Sequence, residues 1–339
     1  MVNVRSSVGR AVGFLLTRRD RRGWWRDFDT FAGLSDEWVT AYVATALSGA
    51  NDQRAAVAAQ RAWVLLKRRH PWLPGWGYNG LVPADADSTL WVLALASRLG
   101  ATNSPRARRA RTFASRHLQL DGSVATYRDS RAIRLYTRLG GDVSFAGWSS
   151  GHTCVSALAA GVLDEADSLR TARYLREMQG ADGTWHSYWW CHREYATALA
   201  AVALERSSDP ADRERIRRAA EGLSGPGPIP APPLAYAQVD TPFQIALRIR
   251  VMVRSPDGVR MRPLVLASLA DLMRRQEGDG SWEPSATLRI PPPGVVDPEK
   301  YHSWVRGARG GGAVQVDQRA CYTTATVLTA LAEAETRLE

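Results

Sequence analysis

Twelve stretches of the chain carry helical periodicity, and they alternate in kind. Six are apolar nearly all round. They start near Asp36 (DEWVTAYVATAL), Ser88 (STLWVLAL), His152 (HTCVSALAA), Tyr195 (YATALAAVAL), Thr241 (TPFQIALRI) and Tyr322 (YTTATVLTAL). A helix that is apolar on every side is a buried one. Between them lie more charged segments, roughly 5–18, 52–70, 104–119, 165–180, 209–222 and 261–277. In the second of these, Val57, Ala58, Trp63, Val64, Leu65 and Leu66 are set against Arg and Gln at amphipathic spacing. Strand signal is scarce. The alternation predicts an all-α fold, an (α/α)6 barrel in which six amphipathic helices surround six buried ones.

A short turn recurs between these segments. It reads Asp182-Gly183-Thr184-Trp185 and Asp279-Gly280-Ser281-Trp282, with a degenerate copy at Asp121-Gly122-Ser123-Val124. Looser copies are Arg22-Gly23-Trp24 and Pro74-Gly75-Trp76. Asp-Gly suits a tight turn because Gly takes positive φ without strain, and the Trp can pack across helix ends. Two segments break the pattern: the Pro- and Gly-rich stretch 222–242 and the long connection 283–316. Connections of this length are functional or disordered. We read 1–339 as a single barrel domain with a lid loop at 283–316; a mobile insertion is the competing reading.

Composition narrows the function. The chain has 339 residues, 45% of them hydrophobic, enough for a large core. No apolar run approaches the roughly 20 residues of a membrane-spanning helix. The short apolar patch Ala11–Leu16 is broken by Gly13 and makes a poor secretion signal, so the sequence predicts a cytoplasmic protein. Cys154, Cys191 and Cys321 are odd in number and none pairs as CxxC, which argues against a disulfide framework or structural zinc. The net charge is +10, carried almost wholly by arginine, since Lys67 and Lys300 are the only lysines. A basic surface suits a diphosphate substrate or peripheral contact with an anionic membrane. No basic stripe interleaved with aromatics appears, so nucleic acid is not expected as a partner.

The stretch Val82-Pro83-Ala84-Asp85-Ala86-Asp87-Ser88-Thr89-Leu90-Trp91 carries the sharpest chemistry. Two carboxylates two residues apart open a buried helix. Asp87 or Ser88 can serve as N-cap there, which by itself explains at most one aspartate. As acid–base groups, each charge raises the pKa of the other, and an apolar pocket raises both. The helix N-terminus acts the other way. Asp85 would then hold Asp87 in its acidic form.

This stretch resembles the DxDD motif of class II terpene cyclases, squalene-hopene cyclases among them, and more closely the DxDTT variant of drimenyl diphosphate synthases. The resemblance runs along nearly the whole chain. The turns look like QW repeats, with Gln179 and Gln276 as degenerate Gln positions, and Asp182–Thr197 is similar to the cyclase segment DGSWxGRWGxNYxYGT. It implies a protonation-initiated cyclase with Asp87 as general acid and Asp85 as its helper. Trp189, Tyr195, Tyr322 and Trp91 are expected to line the cavity, where ring faces stabilise carbocations. His152 is expected to hydrogen-bond the aspartates. Arg128, Arg193 and Arg319, with Mg²⁺, are candidates for a diphosphate. The implied substrate is a linear isoprenoid, farnesyl or geranylgeranyl diphosphate, whose diphosphate is retained for want of a DDxxD cluster. No organic cofactor is implied. Squalene-hopene cyclases pair two barrels and this chain has room for one, so a partner domain or subunit is a further expectation. Competing readings are a non-catalytic isoprenoid- or protein-binding barrel and a zinc-dependent prenyltransferase using Cys191, His192 and Asp317. A glycoside hydrolase is a third, although no second flanking acid suggests itself.

Overall fold

The computed structural model describes residues 4–207, 209–225 and 240–338; most of the Pro- and Gly-rich segment 222–242 lies outside them. In chain order the helices are α1 (Val4–Thr17), α2 (Glu37–Ser48), α3 (Gln53–Arg68), α4 (Ala86–Arg98), α5 (Pro105–Ser115), α6 (Arg131–Thr137), α7 (Thr153–Ala159), α8 (Glu165–Glu177), α9 (Arg193–Leu204), α10 (Pro210–Gly222), α11 (Pro242–Met252), α12 (Gly258–Arg274) and α13 (Cys321–Leu338). The strands are β1 (Asp27–Thr30), β2 (Gly33–Ser35), β3 (Thr287–Ile290), β4 (Val305–Arg306) and β5 (Ala313–Val316).

The inner helices close a ring. α2 packs on α4, α4 on α7, α7 on α9, α9 on α11, α11 on α13, and α13 returns to α2. These are the six helices expected from the apolar runs. α1, α3, α5, α8, α10 and α12 pack outside them. The outer helices start from conventional caps: Asp52 accepts from the backbone of Arg54 and Ala55, and Ser104 from Ala107, with Pro105 at the first helical position.

The recurrent turn explains how each outer helix joins the next inner one. The indole N–H of Trp185 donates to Leu175 O (2.7 Å), ten residues back, and its backbone N–H donates to Thr197 Oγ1 (3.0 Å) in the next inner helix. Trp76 does the same with Leu66 O (2.9 Å) and Thr89 (3.0 Å). Trp282 reaches Leu272 O (2.6 Å). In the first copy the working residue is Trp25, bound to Leu15 O (2.6 Å) and Thr40 (3.0 Å), and not Trp24 as the Gly-Trp spelling suggested. Where Val124 replaces Trp, only the backbone bond survives, to Ser156 Oγ (2.8 Å). Gly23, Gly122, Gly183 and Gly280 hold φ between +81° and +93°, which is why Gly recurs. Gln179 and Gln276 hold their turns through Gly183 O (2.8 Å) and Gly280 O (2.9 Å).

Residues 283–316 are not a plain loop. β3 pairs antiparallel with β5, and β5 pairs parallel with β4. The sheet lies over the end where the inner helices begin. It docks through Trp148 Nε1 to Pro291 O (2.9 Å) and Tyr188 Oη to Val295 O (2.7 Å). The strands were hidden from the sequence because each is at most four residues and their partners are distant. Among the described residues no helix is long and apolar enough to cross a membrane.

Candidate active site

The two aspartates of α4 do different things. Asp85 is the N-cap, in extended conformation, and accepts from Ser88 N (2.7 Å) and Ser88 Oγ (2.9 Å). That occupies both its oxygens. Asp87, in the first turn, makes no hydrogen bond or ion pair with any described residue. Its carboxyl faces a chamber holding ≈ 680 Å³ of empty space. Trp38, Tyr78, Tyr127, Trp148 and Trp189 wall the chamber, with Phe31, Ile133, Leu288 and Ile290, and no Lys or Arg lines it.

This setting decides the protonation state. Burial pushes the Asp87 carboxyl up to about 7. Burial also raises Asp85 far above the usual carboxylate range, and the charge of Asp87 adds to it. Without a counter-ion or donor to favour the anion, the low-dielectric wall leaves the neutral acid as the stable form near neutral pH. A carboxylic acid aimed into an aromatic chamber can give its proton to a carbon–carbon double bond.

A hydrogen-bond chain fixes one wall. The Trp189 indole N–H donates to Thr126 Oγ1 (2.7 Å), so the Thr126 hydroxyl is free to donate to His152 Nδ1 (2.8 Å). That leaves the proton on His152 Nε2, which meets Gly147 O at 2.8 Å. The ring stacks on Tyr188 at 3.8 Å. Burial pushes His152 down to about 3, so it stays neutral. Thr126 O also accepts from Ala86 N (2.9 Å), tying this wall to the start of α4.

No known family model matches the chain, and no curated protein sequence matches it. Solved structures do. The type II terpene cyclase MstE from Scytonema superposes with TM-score 0.91 at 36% identity over 99% of this chain and 100% of that one. The chain belongs to the type II terpene cyclases. A protein from Actinoplanes is equally similar, at 36% identity and TM-score 0.89 over 98% of this chain and 99% of that one. The fold extends to ent-copalyl diphosphate synthase from Streptomyces platensis, with 17% identity, TM-score 0.58, 88% of this chain and 50% of that one. MstE variants have been solved with geranylgeranyl dihydroxybenzoate as substrate and merosterolic acid A as product.

Several residues singled out in the cyclase sequence sit elsewhere than expected. His152 does not reach the aspartates; it positions Thr126 and Trp189. Asp85 makes no hydrogen bond to Asp87, because capping takes its oxygens. Trp189 lines the chamber as expected. Tyr195 and Tyr322 do not: they form a buried layer beneath it, joined Oη to Oη at 3.1 Å, with Tyr322 against Trp38 at 5.1 Å. Trp91 lines cavities at the other end of the barrel. Arg193 is taken by an ion pair with Asp182, and Arg128 and Arg319 are exposed; none of the three lines the chamber. Asp317, named with Cys191 and His192 in the zinc reading, is engaged by backbone and hydroxyl donors. It accepts from Thr323 N (2.7 Å), Ser285 N (2.9 Å), Thr323 Oγ1 (2.8 Å) and Ala286 N (3.1 Å) at the start of α13. Among the described residues no three His, Cys, Asp or Glu side chains converge as a metal site.

The sequence reading missed Trp38, Tyr78, Tyr127 and Trp148. A signal existed for Trp38. It stands two residues past the N-cap Asp36 of α2, the place Asp87 holds past Asp85 in α4. The other three lie on connections whose course depends on tertiary contacts.

Proposed function

We propose that this cyclase starts its reaction by transferring the Asp87 proton to the terminal double bond of a linear isoprenyl chain folded in the aromatic chamber. The observation that carries this is the unpartnered Asp87 carboxyl, raised to about 7 and walled by six aromatic side chains. The Asp87 O–H bond breaks as a new C–H bond forms at the less substituted alkene carbon. The tertiary cation that results is attacked by the next double bond, forming a ring C–C bond and moving the charge along the chain. Ring faces of Trp38, Trp148 and Trp189 stabilise these cations without bonding to them. The apolar wall excludes water that would quench them early. Loss of a proton or capture of water ends the cascade, and Asp87 regains its proton from solvent between turnovers. Residues 283–316 act as the lid, with Leu288 and Ile290 forming its inner surface.

The substrate we infer is an isoprenyl chain on an aromatic carboxylic head group, of the kind geranylgeranyl dihydroxybenzoate represents for MstE. Supporting this are the full-length similarity to MstE and a chamber without the cationic side chains that would grip a diphosphate. Mg²⁺ would be needed only if the head were a diphosphate, whose negative charge it would neutralise. The test is direct. Purified protein is incubated with geranylgeranyl dihydroxybenzoate, farnesyl diphosphate and geranylgeranyl diphosphate, with and without Mg²⁺, beside Asp87→Asn. We expect a cyclic product from the aromatic substrate, absent with Asp87→Asn. Cyclisation only of a diphosphate would overturn the head-group assignment. A product indifferent to Asp87→Asn would overturn the acid.

A further inference from the structure

The far end of the barrel, where the inner helices finish, has the opposite chemistry. Two cavities adjoin there and share Thr45, Trp91, Arg98 and Arg250 in their walls. The larger holds ≈ 860 Å³ of empty space and opens to solvent. Arg254 and Arg337 add to its wall, and Arg206 to the wall of the smaller.

Among the described residues, two carboxylates oppose these arginines. Glu333 accepts from Arg250 Nε (3.1 Å) and Nη2 (3.3 Å) and from Arg254 Nη1 (2.7 Å). Glu205 accepts from Arg254 Nε (3.2 Å) and Arg337 Nη2 (2.7 Å). Among the described residues, five guanidinium groups face these two carboxylates. Arg98 forms no hydrogen bond or ion pair with any described residue. Beside it, Trp91 is 5% exposed and its buried indole N–H has no partner, although the ring lines both cavities. A buried donor left unpaired is costly and calls for an acceptor.

Arginines at helix C-termini complement the macrodipole, which accounts for their being at this end. It does not account for two arginines crowding one carboxylate while a third forms no ion pair with a described residue, next to an open chamber. Planar guanidinium forks match phosphate oxygens in pairs.

We propose that this chamber is a binding site for a diphosphate group, held by Arg98, Arg250 and Arg254 above the ring of Trp91. It is separate from the Asp87 chamber. Tyr42 stacks on Tyr322 at 3.7 Å, and Tyr322 joins Tyr195, closing the barrel between the two. The inner wall of the far chamber, Tyr42 edge-on to Trp91 at 4.6 Å, is apolar enough to accept a short hydrocarbon tail on the diphosphate. The proposal does not depend on the identity of the cyclised substrate.

Calorimetry and thermal melting of the full chain test it, with inorganic diphosphate, inorganic phosphate and dimethylallyl diphosphate at fixed ionic strength. We expect one diphosphate bound per chain with Kd below about 1 mM and a raised melting temperature. Arg98→Ala, which breaks no hydrogen bond or ion pair to a described residue, should weaken binding about tenfold with the unliganded melting temperature unchanged. Arg98→Lys, which keeps the charge but not the fork, should weaken it less, and Asp87→Asn should bind as the parent does. Tighter binding of the dimethylallyl ester than of the bare ion identifies a prenyl diphosphate as the source, and equal or weaker binding identifies the free ion. Absence of saturable diphosphate binding would overturn the site. Unchanged affinity in Arg98→Ala would overturn it as well.

Discussion

The two ends of this barrel treat a carboxyl group in opposite ways. At the end where inner helices begin, Asp87 faces aromatic rings with no cation in the wall, and burial lifts it to about 7. At the end where they finish, Glu333 is also buried, but Arg250 and Arg254 hold it down to about 2. Burial raises both; only the guanidinium groups reverse it. One scaffold therefore carries an acid that keeps its proton and a carboxylate that never regains one near neutral pH. The difference lies in which side chains accompany the carboxyl, since both sit in the same ring of helices. A cyclase that works by protonating a hydrocarbon needs the first arrangement, and the second would disable it.

The comparison is open to breakage at each end. The largest effect is expected from Asp87→Asn, which keeps shape but removes the acidic proton. Cyclisation measured by mass spectrometry should fall by about 10³-fold, with circular dichroism unchanged. Next comes Glu333→Ala, which leaves Arg250 buried without its carboxylate and Arg254 with Glu205 alone. Denaturant unfolding should show a loss of about 3 kcal/mol, whereas removing the charge of Asp87 should cost nothing. His152→Phe tests the wall of the acidic end. The rate should drop about tenfold as Thr126 and Trp189 lose their orientation, while the pH midpoint of the rate stays where it was, because His152 is neutral throughout. The smallest effect is on melting. Folding raises the pKa of Asp87, so its anion costs stability; the cost is absent below the unfolded value near 4 and complete above about 7. Asp87→Asn should therefore melt ~2–4 °C higher than the parent at pH 8 and level with it at pH 4.

Much of this arrangement was legible in the amino-acid order. The apolar runs locate all six inner helices, because an inner helix must be apolar on every side. The Gly-Trp turns mark where outer helices hand over to inner ones, and Asp85-Ala86-Asp87 marks the carboxyl that faces the aromatic chamber. Trp91 shows where periodicity misleads. It lies four residues after Asp87 on one face of α4, so both were expected in one chamber. One helical turn rises about 5.4 Å, and within that rise the Tyr42–Tyr322 stack crosses the barrel axis. The turn carries the chain from the acidic chamber to the basic one. The remaining features rest on pairs remote in sequence. Asp27 meets the start of α13 through Arg319 N (2.9 Å), Cys321 N (3.0 Å) and Tyr322 N (3.3 Å). Phe28 and Ala320, at φ +49° and +55°, adopt left-handed backbone on either side of that junction. Trp148 meets the 283–316 segment across 143 residues. Periodicity carries no information about such contacts.

The central claim is that Asp87 holds its proton near neutral pH because burial, with no described residue pairing with the anion, outweighs the pull of the α4 N-terminus. Infrared difference spectroscopy of the parent protein against Asp87→Asn reads this without substrate, through the C=O stretch of a protonated carboxyl. The account predicts a band present at pH 6 that disappears with a midpoint near 7. A band that titrates with a midpoint near 4, as for an ordinary aspartate, would contradict it.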